Sequence, residues 1–321
     1  MIFQKVIQGA FIVLAVTIGL ATAQDTSLSS TAVRQSLDDA WWTGPMLAPN
    51  ATTLPRGLLL IEPYLYDVIS AHANGLGSLT YINYGFRDRL TIGLIPTAGF
   101  NIANSGPSSS SVELGDLTVQ GQYRLAKFHE GSSVPATSVV VQETFPTGKY
   151  DRLGDRPNGL GSGAYTTTLA LYTQTYFWLP NGRILRMRFD ASQALSSNVN
   201  VQDVSVYGTT TGFRGNAKPG SSFLADSSWE YSVTRKWVLA IDLTYRHNWN
   251  TRAIGYNVDS GSAENPSVLL NSGSSEVFAL APAVEYSWKP YLGVLLGTRV
   301  IPPSHNTNTT VTPAVAINFV H

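Results

Sequence analysis

The sequence predicts an all-β fold, namely a transmembrane antiparallel up-and-down β-barrel of about 12 strands preceded by a signal peptide and a short N-terminal extension. Three observations predict it. Apolar and polar residues alternate along many segments of roughly ten residues, the length of a tilted membrane strand. Short and long connections alternate between these segments. Beyond the N-terminus, no apolar run reaches the roughly 20 residues of a spanning helix.

Composition limits the classes of protein that remain. The chain has 321 residues, of which 13% are charged, and its formal net charge is zero. Soluble domains carry about 25% charged residues, and nucleic-acid binders are basic. There is no cysteine, which excludes a disulfide scaffold, a thiolate metal site and a cysteine nucleophile. We expect no cofactor and no nucleic-acid partner.

The first residues resemble an export signal. Lys5 is followed by an apolar stretch over residues 10–20 and by the small residues of Ala21-Thr22-Ala23. This order is typical of a cleaved secretory signal, whereas a membrane anchor needs a longer apolar run. We therefore predict a signal peptide at 1–23, an N-terminal extension at 24–56 and a barrel at 57–321.

Alternation with a period of two defines the strands. From Asp116 to Leu125, for example, Leu117, Val119 and Tyr123 alternate with polar residues, as on a strand with one apolar face. The predicted strands are 58–68, 75–85, 89–100, 115–127, 136–145, 164–177, 182–195, 221–233, 236–249, 276–288, 291–301 and 309–320.

The connections support the same topology. Short ones lie at 86–88, 179–181, 234–235 and 289–290, with a somewhat longer one at 128–135. Long ones, rich in Gly, Ser, Asn and Thr, lie at 101–114, 146–163, 196–220, 250–275 and 302–308. Outer-membrane barrels have short periplasmic turns and long outer loops, and an even strand number leaves both termini in the periplasm.

A soluble β-sandwich is the alternative fold, but its strands are usually five or six residues long. Aromatic residues near the strand ends favour the barrel, because they would form girdles at the membrane interfaces. These residues are Tyr64, Tyr66, Phe177, Trp178, Trp229, Tyr231, Trp237, Trp249, Tyr286, Trp288 and Tyr291.

Strand charges should face the lumen, because a charge at the middle of the bilayer costs a few kcal/mol. This reasoning predicts a lumen lining of Glu62, Asp116, Arg124, Glu143, Arg186, Arg188, Asp190, Asp242, Arg246, Glu285 and Arg299. Isolated buried ions are costly, so we expect Arg–carboxylate pairs across the lumen. Such pairs could line a pore or simply fill a closed barrel, and the sequence favours neither.

The extension contains Trp41 and Trp42, which would be poorly solvated in a free tail. We expect a short helix near Asp38 and an extended run that occupies the periplasmic mouth or enters the lumen as a plug.

A barrel hydrolase is the enzymatic alternative, and it needs a histidine beside a serine. His72, His129, His305 and His321 fall in connections or at the terminus, and His247 has no serine in register. Ser304 and His305 are adjacent in a loop, where they form no strand pair. No histidine–carboxylate spacing indicates a metal site. The sequence therefore predicts neither an enzyme nor a metal centre.

Two motifs carry a resemblance to a known family. Phe145-Pro146-Thr147-Gly148-Lys149-Tyr150 follows a strand, and Gly159-Leu160-Gly161-Ser162-Gly163-Ala164-Tyr165 opens the next one. With Glu285-Tyr286, they resemble the outer-membrane family named "putative MetA-pathway of phenol degradation", near the long-chain fatty-acid channels. The resemblance implies uptake of small apolar or aromatic compounds and brings no catalytic residues.

Together these observations predict a monomeric barrel of the bacterial outer membrane, inserted by the barrel-assembly machinery and surrounded by outer-membrane lipid. The leading functional hypothesis is a channel for passive uptake of a small-molecule solute. A closed structural or surface-interaction barrel is the alternative, and a lipid-modifying enzyme is the third.

Overall fold

Twelve antiparallel barrel strands form a closed ring in the computed structural model, which describes residues 33–71, 73–258 and 266–321. Neighbouring strands follow the chain order, and the pairing of the first strand with both the last and the second completes the ring. The all-β barrel prediction is confirmed. The predicted signal peptide and His72 lie outside the described residues.

Ten barrel strands are continuous and two are interrupted. The continuous ones are β1 Leu59–Ile69, β2 Ala73–Arg87, β7 Ala136–Phe145, β8 Thr166–Trp178, β9 Ile184–Ser196, β12 Ser222–Ser232, β13 Trp237–Asn248, β16 Ser275–Lys289, β17 Leu292–Ile301 and β18 Thr310–Val320. The interrupted ones are β3 Leu90–Ile95 with β4 Thr97–Ala103, and β5 Glu113–Leu114 with β6 Leu117–Ala126. The first break falls at Pro96, which has no N–H for the ladder. All predicted strand ends lie within three residues of these bounds.

The pleat assigns each side chain to the lumen or to the outer surface. On β12, Asp226, Ser228 and Glu230 are fully buried, whereas the intervening Trp229 is 45% exposed. The same alternation leaves large apolar side chains exposed on the outward face of every neighbouring strand. An apolar exterior around a polar interior is what a bilayer requires of a barrel.

Four further strands form a second sheet beyond the barrel, and the sequence analysis treated them as loop. They are β10 Val199–Gln202, β11 Phe213–Lys218, β14 Arg252–Asn257 and β15 Ser267–Asn271. They follow or precede β9, β12, β13 and β16, so this loop sheet prolongs one side of the barrel wall. Its buried face, centred on Phe213, packs against Ala164 and Tyr207.

The ends of the barrel differ. The turn end holds the short connections, the start of β1 and the end of β18, where His321 N donates to Leu59 O. The loop end holds the long connections. The expected helix of the extension is only a 3-10 turn, Leu37–Asp39, capped by Ser36. Over the described ranges, no helix is long and apolar enough to span a membrane.

The girdle prediction needs a correction. Trp237, Trp249 and Trp288 face outward and are nearly half exposed. Tyr66 instead faces the lumen, where its ring lies against Gly77, and Tyr64 shares its side of β1. Trp178 also faces inward, since its indole N–H donates to Gln35 O at 2.8 Å. Aromatic residues near a strand end therefore serve both faces here.

Candidate functional site

The lumen of the turn half is occupied by the N-terminal strap, defined here as residues 34–56. The strap enters beside the β8–β9 turn, where Gln35 N donates to Gly182 O. It passes the β12–β13 turn, where Trp41 N donates to Arg235 O. It leaves beside β3, where Leu54 N donates to Thr91 Oγ1. It therefore crosses the barrel from one wall to the other.

Two buried carboxylates hold the strap through its backbone N–H groups. Asp242 accepts from the amides of Met46, Leu47 and Ala48 at 3.0–3.2 Å. Glu285 Oε2 accepts from Thr43 N at 2.8 Å and from Gly44 N at 3.1 Å. Both carboxylates are fully buried. Hydrogen bonds from N–H groups to a carboxylate are charge-assisted and satisfy both partners.

Several strap carbonyls accept hydrogen bonds from side chains on β9, β6 and β7. Arg188 Nη1 donates to Ala48 O at 2.7 Å. Gln122 Nε2 donates to Asn50 O at 2.8 Å, and Ser138 Oγ donates to Ala51 O at 2.6 Å. Side chains of the barrel wall therefore satisfy backbone N–H and C=O groups of the strap, which in a strand would be satisfied by the backbone of neighbouring strands.

Inward-facing glycines give the strap its room. A Cβ at Gly85 on β2 would overlap the carbonyl oxygen of Pro55, and one at Gly293 on β17 would overlap the side chain of Thr43. By contrast, a Cβ at Gly121 on β6 would meet nothing within 4 Å. Larger residues at Gly85 and Gly293 would displace the strap.

An ion cluster lies beneath the strap. Arg186 binds both oxygens of Glu230, and its Nε lies 2.6 Å from Oε2. Arg188 Nε lies 3.2 Å from the same Oε2. All three side chains are at most 4% exposed. This is an Arg–carboxylate pair as expected, but it joins directly opposed residues on the neighbouring strands β9 and β12 and does not span the lumen. The sequence analysis did not single out Glu230.

Buried carboxylates outnumber guanidinium groups in the turn half. Asp190 and Asp226 lie directly opposite each other on β9 and β12, and each has one buried oxygen without a hydrogen-bond partner. Asp226, like Glu230, was missed by the sequence analysis. The signal was present, because Asp226, Ser228, Glu230 and Ser232 alternate with Trp229 and Tyr231 in the sequence.

At the loop end, Asp116 organises the β7–β8 connection. It lies at the break between β5 and β6 and accepts from Gly148 N at 2.9 Å and from Ser162 N and Oγ at 2.7 Å. The Pro-Thr-Gly motif at 145–150 and the glycine-rich motif at 159–165 thereby come into contact. Gly161 N donates to Lys149 O. A Cβ atom at Gly161 would overlap the backbone of Gly148. A loop folded across this end of the barrel results.

The connection between the loop-sheet strands β10 and β11 stabilises the folded β7–β8 connection. The hydroxyl of Tyr207 donates to Ser162 O, and burial together with the nearby Asp116 and Tyr150 raises the pKa of Tyr207 to about 12. The hydrogen bonds that Arg214 and Gly212 N donate to Asp203 lower the pKa of that carboxyl group.

The loop half of the lumen carries Arg246 and Arg299. Arg246 lies four residues beyond Asp242 on β13, and Arg299 lies two residues beyond Gly297, which contacts Met46, on β17. Both share the inward-facing register of their strands. Among the described residues, no carboxylate lies within 4.0 Å of either guanidinium, in contrast to Arg186 and Arg188.

The remaining predicted lining residues lie as follows. Glu62 faces the lumen and accepts from Asn318 Nδ2 at 3.2 Å. Arg124 shares the inward face of β6 with Gln122, in register with Ser138. The lumen prediction for Glu143 is wrong, because Glu143 alternates with buried Val140 and Ser138 and lies opposite exposed residues. Its carboxylate accepts from Thr167 Oγ1 at 2.6 Å on the outer surface, near the loop end.

The histidines that the structure describes form no candidate catalytic group. His247 faces outward from β13 and packs edge-on against Trp249, with ring centroids 4.7 Å apart. Ser304 and Thr307 form a small bridge in the β17–β18 connection. Within the described part of the chain, no group of three or more His, Asp or Glu side chains is placed to hold a metal ion.

Comparisons with known proteins agree with this architecture. A family model described as "Putative MetA-pathway of phenol degradation" matches residues 70–319. A search of curated proteins finds no match. The crystal structure of an outer membrane channel from Pseudomonas putida is similar, with a TM-score of 0.62 and 16% identity over 86% of this chain and 100% of that one.

Two further structures are more distant. The NanC porin matches with a TM-score of 0.44 and 10% identity, over 81% of this chain and 98% of that one. The Ralstonia pickettii toluene transporter TbuX matches with a TM-score of 0.37 and 11% identity, over 83% and 90%. These scores carry no argument about function. The closed ring, its apolar exterior and the family match place the chain in the bacterial outer membrane.

Proposed function

We propose that this chain, which belongs to the family described as "Putative MetA-pathway of phenol degradation", is a channel for passive uptake of small apolar or aromatic molecules. The turn end, where the strap enters and β18 ends, faces the periplasm in this proposal, and the loop end faces outward. The protein acts as a monomer and performs no chemistry on its solute.

The observation that carries the proposal is the way the strap fills the lumen. A barrel that serves only as a scaffold can fill its interior with its own side chains. Here the turn half is filled by a separate segment, held by hydrogen bonds to Asp242, Glu285 and Arg188. A segment held in this way is a plug that can move while the wall stays intact.

The solute class is supported by the family and by the lumen. The family description refers to phenol degradation, which fits a small aromatic solute. Tyr64, Tyr66 and Tyr81 present rings to the lumen, and the Tyr64 and Tyr81 rings meet edge to face at 6.1 Å. Aromatic rings favour aromatic solutes through stacking and edge-to-face contacts.

Planar-bilayer recording tests the proposal. The wild-type barrel should give small single-channel steps, and a variant with residues 34–55 replaced by a Gly/Ser linker of equal length should give larger ones. The linker keeps the chain length and removes the side chains and their bonding pattern. Liposome swelling with neutral solutes of graded size should show the same order.

The second candidate, a closed structural barrel, makes the opposite prediction. If both proteins are folded, as shown by heat-modifiable migration on gels, and neither conducts, the channel proposal is wrong. If the two proteins conduct equally, the strap is not a plug.

A further inference from the structure

We propose that the loop half of the lumen contains a binding site for a carboxylate group, formed by Arg246, Arg299 and Thr312, and that its ligand is a small aromatic carboxylic acid. The inference rests on the proposed channel function and deepens it by naming the ionic group that the lumen would select.

The first argument is geometric. Arg299 on β17 lies directly opposite Thr312 on β18, and both side chains face the lumen. Arg246 lies on the inward face of β13, which is separated from β17 by one strand, so both arginine side chains enter the lumen from the same side of the barrel. Since the strap contacts Asp242 and Gly297, these arginines are the first cations beyond it on this wall.

The second argument is the set of unused hydrogen-bonding groups. Arg299 Nε is buried and has no partner, and the hydroxyl of Thr312, a residue only 3% exposed, has none either. The hydroxyl of Thr310, the next inward-facing residue on β18, is likewise unpartnered. Buried polar groups are normally satisfied, so donors gathered at one place indicate a ligand that accepts hydrogen bonds.

The third argument is charge. Two guanidinium groups with no carboxylate within 4.0 Å among the described residues repel each other, and an anion between them converts that repulsion into attraction. In the turn half the opposite arrangement holds, because Glu230 already occupies the space between Arg186 and Arg188. The loop half therefore has the cations of such a cluster without its carboxylate.

The chemistry of the donors indicates the ligand class. A guanidinium group is planar and matches the two oxygens of a carboxylate with two parallel hydrogen bonds. Tyr66 faces the same lumen from β1, where it lies opposite Ala314, two residues from Thr312 on β18, so its ring is placed to pack against the aromatic part of the ligand. An aromatic monocarboxylate satisfies both features.

Calorimetric titration of the purified full-length barrel in detergent tests the site. The probes are benzoate and benzamide, which have similar shapes and differ in charge. We expect benzoate to bind about tenfold or more tightly than benzamide, because a hydrogen bond between two charged groups is stronger than one to a neutral amide. Arg299→Gln should remove most of that preference, and Arg299→Lys should restore part of it.

Lys218→Gln is the matched control, because Lys218 is an exposed cation on the loop sheet and its replacement should leave benzoate affinity unchanged. Equal affinity for the two probes would overturn the site, as would full benzoate affinity in a folded Arg246→Gln/Arg299→Gln variant. Binding is measured without conductance. A barrel that conducts but does not discriminate refutes only the site, and one that binds benzoate but never conducts refutes only the channel.

Discussion

The turn half and the loop half of the lumen anchor a crossing segment in the same way, but the charged side chains around the two anchors differ in sign. In each, a carboxylate accepts backbone amides from a segment folded across the barrel: Asp242 from the strap, and Asp116 from the β7–β8 connection. The turn half has an excess of buried carboxylates around Arg186 and Arg188, whereas in the loop half no described carboxylate lies within 4.0 Å of Arg246 or Arg299. The same anchoring chemistry thus operates beside an excess of carboxylates in one half and beside arginines in the other.

The largest expected effect is on the ion cluster of the turn half. Glu230→Gln leaves the buried Arg186 and Arg188 without their shared carboxylate, and breaking a buried pair in this way costs about 3–5 kcal/mol. The free energy of unfolding, measured with urea in detergent, should fall by that amount. Glu143→Gln is the same chemical change on the outer surface and should alter stability by less than about 0.5 kcal/mol. Equal losses would show that the cluster is not specially coupled.

The second effect separates the two anchors. Asp242→Ala removes the acceptor of three strap amides and should loosen the strap by about 1–3 kcal/mol, while Asp116→Ala should loosen only the β7–β8 connection. The chain has no cysteine, so Ala51→Cys, a fully buried strap position, provides a clean thiol probe. Its labelling rate should rise in the Asp242→Ala background and stay unchanged with Asp116→Ala. The reverse pattern would contradict the assignment.

The third effect concerns the room for the strap. Gly85→Ala forces a methyl group against Pro55 and should cost about 1–3 kcal/mol or displace the strap. Gly121→Ala introduces the same methyl group into open space on the outward face of β6. Single-channel conductance should change with the first substitution and not with the second. Identical conductances would mean that the strap adapts without moving.

The smallest expected effect is a pH dependence at the loop sheet. The bonds from Arg214 and Gly212 hold the pKa of Asp203 below its ordinary value of about 3.9. Their stabilisation is therefore present above about pH 4 and is lost as the pH falls through the lowered pKa. The NMR amide signal of Gly212 should shift over that range, and Asp203→Asn should abolish the shift. A shift that persists in the variant would assign it to another group.

Much of the barrel could be predicted because alternation records burial directly. On β6, the apolar residues Leu117, Val119 and Tyr123 face outward, and Gln120 and Gln122 face the lumen. The alternation of apolar and polar residues in the sequence therefore matches the alternation of outward and inward side chains in the strand. The prediction failed where that period is absent. In β7, Val139-Val140-Val141 is apolar on both faces, which hides the phase of the strand. Glu143 was therefore assigned only by the rule that strand charges face the lumen, and that rule gave the wrong side.

The strap and the loop sheet lie further from what the sequence alone reveals. The prediction that the extension occupies the mouth or lumen followed from Trp41 and Trp42, but its anchors are backbone amides, which every residue carries. The loop-sheet strands are short and lie in segments rich in Gly, Ser and Asn, where pairing depends on neighbours distant in the chain. Only the three-dimensional register brings Phe213 against Ala164.

The loop sheet also gives the barrel an uneven rim. It raises the wall only above β9, β12, β13 and β16, while β1 and β2 are joined by a connection of a few residues. A molecule that approaches the loop end thus meets a higher wall beside these four strands than beside β1 and β2. The shorter route from this end into the lumen therefore runs over the β1–β2 connection, because the loop sheet extends only the strands on the other side.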